Sequence, residues 1–244
     1  MRTPVKIAVA AVVLVIAVVG AGLWWFFEDD APAEVSLDRA VESVTTTTGG
    51  DGDASEAAAV DGVWTVDTTT GEHDFDSASG TFAGFRIQEE LANVGAATAV
   101  GRTGDVTGEL TIDGSTVTDA TFEVDLTTIT TNAERRDDRV QQALETDRFP
   151  TATFTLTEPI ELGDGADAGA PVTVTASGDL TIHGVTKEIR LPIDAQLVDD
   201  TIVVVGSVDI VFSDYGVEVP SAPIVVSVED RGVLELQVLL TRST

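Results

Sequence analysis

The side chains able to do chemistry in this chain are few. There are two histidines, His73 and His183, and no cysteine. A zinc site built from His, Asp and Glu would need both histidines to converge with carboxylates. They lie about 110 residues apart, in different turns, so no metal site is expected. Without cysteine there is no thiolate ligand, thiol nucleophile or disulfide. The sequence holds no G-x-S-x-G elbow, no H-E-x-x-H pair and no glycine-rich phosphate loop, so no catalytic residue and no cofactor are assigned. His183, in Ile-His-Gly-Val, reads as a turn residue whose ring hydrogen-bonds locally, and His73 reads as a solvated loop residue. A hydrolase using either one would need an activated nucleophile in the same cleft. Arg135, Arg136, Asp137, Asp138 and Arg139 form the remaining cluster. Guanidiniums in such a run can take a carboxylate or phosphate in bidentate fashion. The simpler reading is a solvated helix face with i, i+3 and i, i+4 pairs.

The overall charge excludes another class of partner. The 244 residues carry a formal charge of −29, and their only lysines are Lys6 and Lys187. A protein that neutralises phosphates needs a basic face, and none can be assembled here, so no nucleic acid is expected.

The elements that would position these residues begin after an unusual N-terminus. Ile7 to Phe27 is 21 residues without a charge, about 32 Å as a helix, which matches a hydrocarbon core of about 30 Å. Arg2 and Lys6 precede it and Glu28, Asp29 and Asp30 follow. That asymmetry predicts a single-pass anchor with a cytoplasmic N-terminus and the remainder extracytoplasmic. Trp24 and Trp25 fall where an interfacial aromatic belt belongs. A cleaved signal peptide is the alternative, with Ala31-Pro32-Ala33 as a small-residue site, but the apolar run is longer than a usual signal core. Residues 28–60 carry nine acids and one base, Arg39, and read as an acidic, flexible linker that cannot bury enough apolar surface to fold. A short helix over Leu37–Val44 is the other option there. The resulting organisation is an anchor at 1–27, a linker at 28–60 and a folded domain at 61–244.

From Asp61 onward the chain alternates Thr and Val, punctuated by Gly and Asp. Runs of period two lie on either side of Asp113-Gly114-Ser115, Asp199-Asp200, Pro220 to Pro223 and Asp230-Arg231-Gly232. About eight or nine strands joined by short turns predict an all-β antiparallel sheet curled into a barrel or sandwich. Glu134 to Asp147 is the exception. Val140 and Leu144 are spaced i, i+4 and Pro150 ends the run, which predicts one capping helix. Glu89 to Ala99 reads as a second short helix or a loop.

The clearest pattern surrounds His183. Val172, Val174, Ala176, Gly178, Leu180 and Ile182 share one face. Beyond His183-Gly184 the apolar parity moves to Ile189, Leu191, Ile193, Ala195 and Leu197, the signature of a hairpin with one buried face. A barrel of about eight strands is either filled by its own side chains or holds one small ligand. The inward faces are apolar, so any ligand held there would be apolar too. Periodicity does not choose between a filled and a hollow barrel.

Several segments add a resemblance. They are Trp64-Thr65-Val66-Asp67, Ser79 to Ile87, Gly108-Glu109-Leu110, Thr131 to Asp138, Arg148 to Phe154, Gly178 to Lys187 (GDLTIHGVTK) and Asp214-Tyr215-Gly216-Val217. In this order and spacing, from Trp64 to about Leu240, they resemble the YceI-like family, whose known members bind polyisoprenoid lipids. An Arg common in the family two residues before D-F-G is Phe212 here, and a His common after R-D is Arg139. The resemblance implies an extended, lipocalin-like antiparallel barrel whose lumen holds an isoprenoid or other long-chain lipid. The lumen wall is expected to include Phe82, Phe85, Phe122, Val124, Phe154, Ile182, Leu191, Phe212 and Tyr215, all as apolar contacts. A membrane-tethered lipid carrier is the first functional expectation, and a packed, ligand-free interaction domain is the second.

Overall fold

The computed structural model describes residues 31–48, 60–71, 75, 79–91, 95–163, 165–218 and 225–243. The apolar span at 7–27, the turn at Pro220 to Pro223, and His73 lie outside these. No described helix is long and apolar enough to cross a membrane.

Thirteen strands form one antiparallel sheet: β1 Gly62–Val66, β2 Phe82–Leu91, β3 Gly95–Thr103, β4 Val106–Asp113, β5 Thr116–Asp125, β6 Thr130–Thr131, β7 Thr151–Leu156, β8 Ile160–Glu161, β9 Val172–Ile182, β10 Val185–Val198, β11 Thr201–Val211, β12 Val225–Val228 and β13 Arg231–Arg242. Eight of them close a ring in the order β1-β4-β5-β7-β9-β10-β11-β13 and back to β1. Glu89 to Ala99, expected as a helix or loop, instead supplies the end of β2 and the start of β3. The turn residues do what their chemistry allows. His183 and Gly184 have φ of +52° and +73°, the pair of positive values that a two-residue type I′ hairpin requires. The pairing across that turn places Gly178 opposite Ile189 and Ala176 opposite Leu191, so the change of apolar parity keeps one face buried.

Closure depends on β13, which is longer than any one neighbour on that side. Its C-terminal half pairs with β1 (Val66 with Leu240), and its N-terminal half pairs with β2 (Phe82 with Gln237). Leu239 falls at the hand-over. Its N–H donates to Thr81 Oγ1 at 3.0 Å, and its carbonyl accepts from the Asp67 N–H at 2.8 Å. Thr81 in turn donates to the Asp67 carbonyl. These bonds satisfy both backbone groups of Leu239 on the side where β1 gives way to β2, as a buried backbone demands. The Asp67 carboxylate fixes the turn that leaves β1, accepting from Thr69 N–H and Oγ1 and from Thr70 N–H.

Two helices are described. One capping helix was expected, and α2, Glu134–Ala143, is that helix. It lies across one end of the barrel, with Val140 buried among Leu126, Ile129 and Ile182. The Gln141 amide donates to the carbonyls of Leu126, Thr127 and Ile129. The other, α1, is Leu37–Thr48, within the segment expected to be a flexible linker. Of the two readings of this segment, the short helix considered over Leu37–Val44 is the one that agrees with α1, and residues 31–48 pack on the outer wall. Ala40 and Val44 are buried against Val203, Val205 and Leu239, with Val35, Leu37 and Val41 alongside. The i, i+3, i+4, i+7 stripe of α1 outweighs its acidic composition. β11 reads Ile-Val-Val-Val because Ile202 and Val204 face inward while Val203 and Val205 face the helix.

The stretch before α1 is held by charge. Glu235 accepts from Arg86 at 2.8 Å and lies 2.7 Å from an Arg102 nitrogen, with its side chain 1% exposed. Two guanidiniums against one carboxylate leave a net positive charge in a buried place, which must be compensated. Arg86 donates to the Pro32 carbonyl and Arg102 to the Ala33 carbonyl. Burial pulls the Arg102 guanidinium below its usual value, and Glu235 works against that shift.

Two outcomes test this architecture. Leu239 is fully buried between α1 and the barrel, so Leu239→Ala is expected to cost about 2–5 kcal/mol in urea unfolding. In a chain starting at Asp61 the same substitution should cost less than half as much. For Asp67, burial pushes the carboxyl up, but hydrogen bonds from Thr69 and Thr70 outweigh it and hold it below its usual value. A depressed carboxylate contributes stability above its unfolded pKa and loses it as pH falls through the folded value. The stability gap between the parent and Asp67→Asn is therefore expected at neutral pH and should close below about pH 4. A gap that widened in acid would contradict this reading.

Candidate functional site: the barrel lumen

The inward faces of the ring enclose a cavity of about 260 Å³. It runs from Leu144, Tyr215 and Val217 at the α2 end to Val60, Leu162 and Ala170 at the other. The wall is hydrocarbon almost throughout. Besides Tyr215, its polar residues are Thr153, Gln196 and Glu235, and the last two bind elsewhere: Gln196 to the Gly169 carbonyl and Glu235 to its arginines. An engineered apolar cavity of about 150 Å³ stays dry and binds benzene; this one is larger.

The cavity stays open because of how its aromatic rings lie. A Cβ placed on Gly101 would fall 2.5 Å from the Phe85 ring, and one on Gly178 2.4 Å from Phe154. On Gly108 and Gly232 it would meet Phe122 and Phe212, each at 2.7 Å. Each ring thus lies over a glycine on an adjacent strand, flat against the wall and out of the lumen. Phe85 is directly opposite Gly101, and Phe122 opposite Gly108. Gly108, at φ +149°, also serves a backbone that a side chain would strain.

Of the nine residues expected at the lumen wall, Phe85, Phe122, Val124, Phe154, Ile182, Leu191, Phe212 and Tyr215 line the cavity. Phe82 does not. It is 2% exposed but faces the opposite side of β2, beneath the Arg102 guanidinium at 4.4 Å. The reason is the strand period: Phe82 and Phe85 differ by an odd number and cannot share a face. Other residues of the alternating apolar runs complete the wall, among them Leu110, Leu180 and Ile189, together with Val208.

The polar clusters have structural roles. Arg136 pairs with Glu89 on β2 at 2.8 Å and donates to Asn132, while Asp137 accepts from Thr131. These contacts tie α2 to the barrel, where the sequence had suggested mutual pairs on a solvated face; Asp138 and Arg139 are exposed. The His183 Nδ1 donates to the Tyr215 carbonyl at 3.2 Å, and the ring meets Phe149 edge-on. Its Nε2 is buried without a hydrogen bond, 3.6 Å from a Glu145 oxygen. Among the described residues, no group of three or more His, Cys, Asp or Glu could hold a metal ion.

A closed eight-stranded antiparallel barrel with a hydrocarbon-lined lumen is the architecture of barrels that hold one small ligand. The chain belongs to the YceI-like family: the YceI-like domain model matches residues 64–240. Among curated relatives, Protein YceI of Escherichia coli is 32% identical over 114 residues, 45% of this chain and 53% of that protein. A UPF0312 protein of Pseudomonas fluorescens is 31% identical over 107 residues, 42% of this chain and 53% of its own. The chain thus spans about half the length of these relatives. Among solved structures, a polyisoprenoid binding domain from Saccharophagus degradans matches with a TM-score of 0.54 at 18% identity, covering 74% of this chain and 98% of that one. BcnA of Burkholderia cenocepacia matches with a TM-score of 0.50 at 17% identity, covering 64% and 95%. At these identities the structural likeness establishes the fold.

The ring-on-glycine arrangement makes a specific demand. Gly178→Ala is expected to push Phe154 off the wall and cost about 1–3 kcal/mol. Phe154→Leu should relieve most of that cost, giving a coupling of opposite sign in a double-mutant cycle. Additive losses in urea unfolding would show that the ring does not rest on that glycine.

Proposed function

We propose that this protein holds a polyisoprenoid or similar long-chain amphiphile in its lumen, for sequestration or transport. The observation that carries the reading is the hollow, hydrocarbon-lined cavity running between the two ends of the barrel. Burying a chain there gains about 25 cal/mol per Å² of apolar surface, and the wall offers no polar network that would favour a hydrophilic solute. Membership of the YceI-like family supports the same reading, as does likeness to a fold found in a polyisoprenoid binding domain. A packed, ligand-free interaction barrel has no comparable support, because the aromatic rings lie along the wall. In this reading Phe85, Phe122, Val124, Phe154, Ile182, Leu191, Phe212 and Tyr215 contact the lipid. The uncharged stretch Ile7 to Phe27 would carry the barrel on the extracytoplasmic face of a membrane.

The test is mass spectrometry of residues 31–244, purified without detergent from a lipid-producing host. A co-purifying long-chain species is expected in the parent. Ala176→Phe, which adds a ring to the lumen at a residue 1% exposed, should reduce it to background while leaving the far-ultraviolet circular dichroism unchanged. A parent that is empty on purification, and remains so after incubation with polyprenols, would overturn the carrier reading.

A further inference from the structure

One polar group on the lumen wall has no hydrogen-bond partner among the described residues. Tyr215 is 3% exposed and lines the cavity at its α2 end. Its carbonyl is taken by His183, but its hydroxyl makes no hydrogen bond to any described residue. A phenol hydroxyl free of protein partners at the end of a hydrocarbon lumen is placed to meet a ligand's polar end. Burial raises its phenol above the usual value and the neighbouring Asp214 adds to this, so the group stays protonated through the neutral range.

The surrounding charges define what that polar end can be. Arg86 and Arg102 face the outer wall and are held by Glu235. Arg136 is paired with Glu89 and Arg148 with Glu145. Lys187 shares the inward face of its strand with Leu180, but its ammonium reaches out to Asp214, 3.5 Å away, and both are solvent-exposed. Phe212, beside Tyr215, presents a ring to the lumen. An anionic head placed here would lose its hydration without gaining a counter-charge, in a domain that already repels it.

We infer that the lumen selects amphiphiles whose head is a single uncharged hydrogen-bonding group, an alcohol, amide or carbonyl, which pairs with the Tyr215 hydroxyl while the tail runs toward Leu162 and Leu197. This rests on the carrier reading above and adds the head-group class to it. Hydroxyl and cavity together specify one hydrogen bond at one end and hydrocarbon along the remainder.

The experiment uses the full chain in amphipol, incubated with farnesol, farnesyl diphosphate or the hydrocarbon farnesene, with bound ligand quantified after gel filtration. Farnesol is expected to bind more tightly than farnesyl diphosphate. Tyr215→Phe should weaken farnesol by about five- to tenfold, the worth of one hydrogen bond, and leave farnesene unchanged. Tyr215→Phe keeps the ring, so a fall in farnesene binding would point to a packing role and overturn the inference. Equal or tighter binding of the diphosphate, lost in Lys187→Ala, would also overturn it and assign the head to Lys187. Farnesene and farnesol binding that ignores Tyr215→Phe would refute the head-group assignment while sparing the carrier reading. Failure of every probe to bind would refute both.

Discussion

A barrel of eight strands sits at the size where its own side chains can just fill it, so a hollow lumen needs a structural cause. Here the cause is the seating of four phenylalanine rings on four glycines of adjacent strands. A phenylalanine directed across the axis would occupy the space that now forms the cavity. Laid against a glycine, the same ring covers a backbone that has no side chain of its own and makes the wall thick and smooth. Each pairing also fixes register, because sliding a strand by one residue would put a Cβ under the ring and turn the glycine outward. Lumen volume, wall chemistry and strand alignment therefore depend on one repeated contact.

Much of this was legible in the residues, and the illegible part has identifiable reasons. The hairpin around His183-Gly184 declared itself because the apolar parity changes across the turn. α2 declared itself through Val140, Leu144 and Pro150. Phe82 was assigned to the lumen although its separation from Phe85 already excluded that. Arg86 and Arg102, on the same outer face as Phe82, were the matching signal. α1 carried a readable stripe at Leu37, Ala40, Val41 and Val44, and the apolar run at Ile202 to Val205 announced a strand covered on both faces. A short helix at Leu37–Val44 was one of the two readings, but the acidity of the surrounding segment hid its docking on β11, because composition averages over a helix whose charges all lie on one side. The glycine–phenylalanine pairs were not readable, since they depend on which strand lies next to which, and periodicity within a strand carries no such information.

Docking of residues 31–48 changes what the N-terminal segment does. A linker of 28–60 would have let the barrel move independently of whatever precedes it. Instead the chain from Ala31 runs over the Arg86–Glu235–Arg102 cluster and continues as α1 down the outside of β10 and β11. The buried cluster alone would be an electrostatic liability, with one carboxylate for two guanidiniums. The carbonyls of Pro32 and Ala33 supply the missing negative ends of dipoles, so the strap and the cluster each satisfy a requirement of the other. Only residues 28–30 separate Phe27 from this fixed point, about 10 Å of extended chain.

The charge distribution and the lumen chemistry bear on the same choice of cargo. A domain with 33 acids and 10 bases from Asp61 onward keeps anions away at long range. The cations nearest the barrel wall are already engaged: Arg86 and Arg102 with Glu235 and the strap, Arg136 with Glu89, and Lys187 with Asp214 at the surface. Phe212, beside Tyr215, lies on Gly232 as part of the hydrocarbon wall. What is left facing the cavity at the α2 end is a neutral phenol. On the proposed reading, a phosphate at that end would find no basic residue of the wall to compensate it. If the lumen holds an amphiphile as proposed, recognition of its head would come from a hydrogen bond and from exclusion of charge, which is a weaker but sharper filter than attraction.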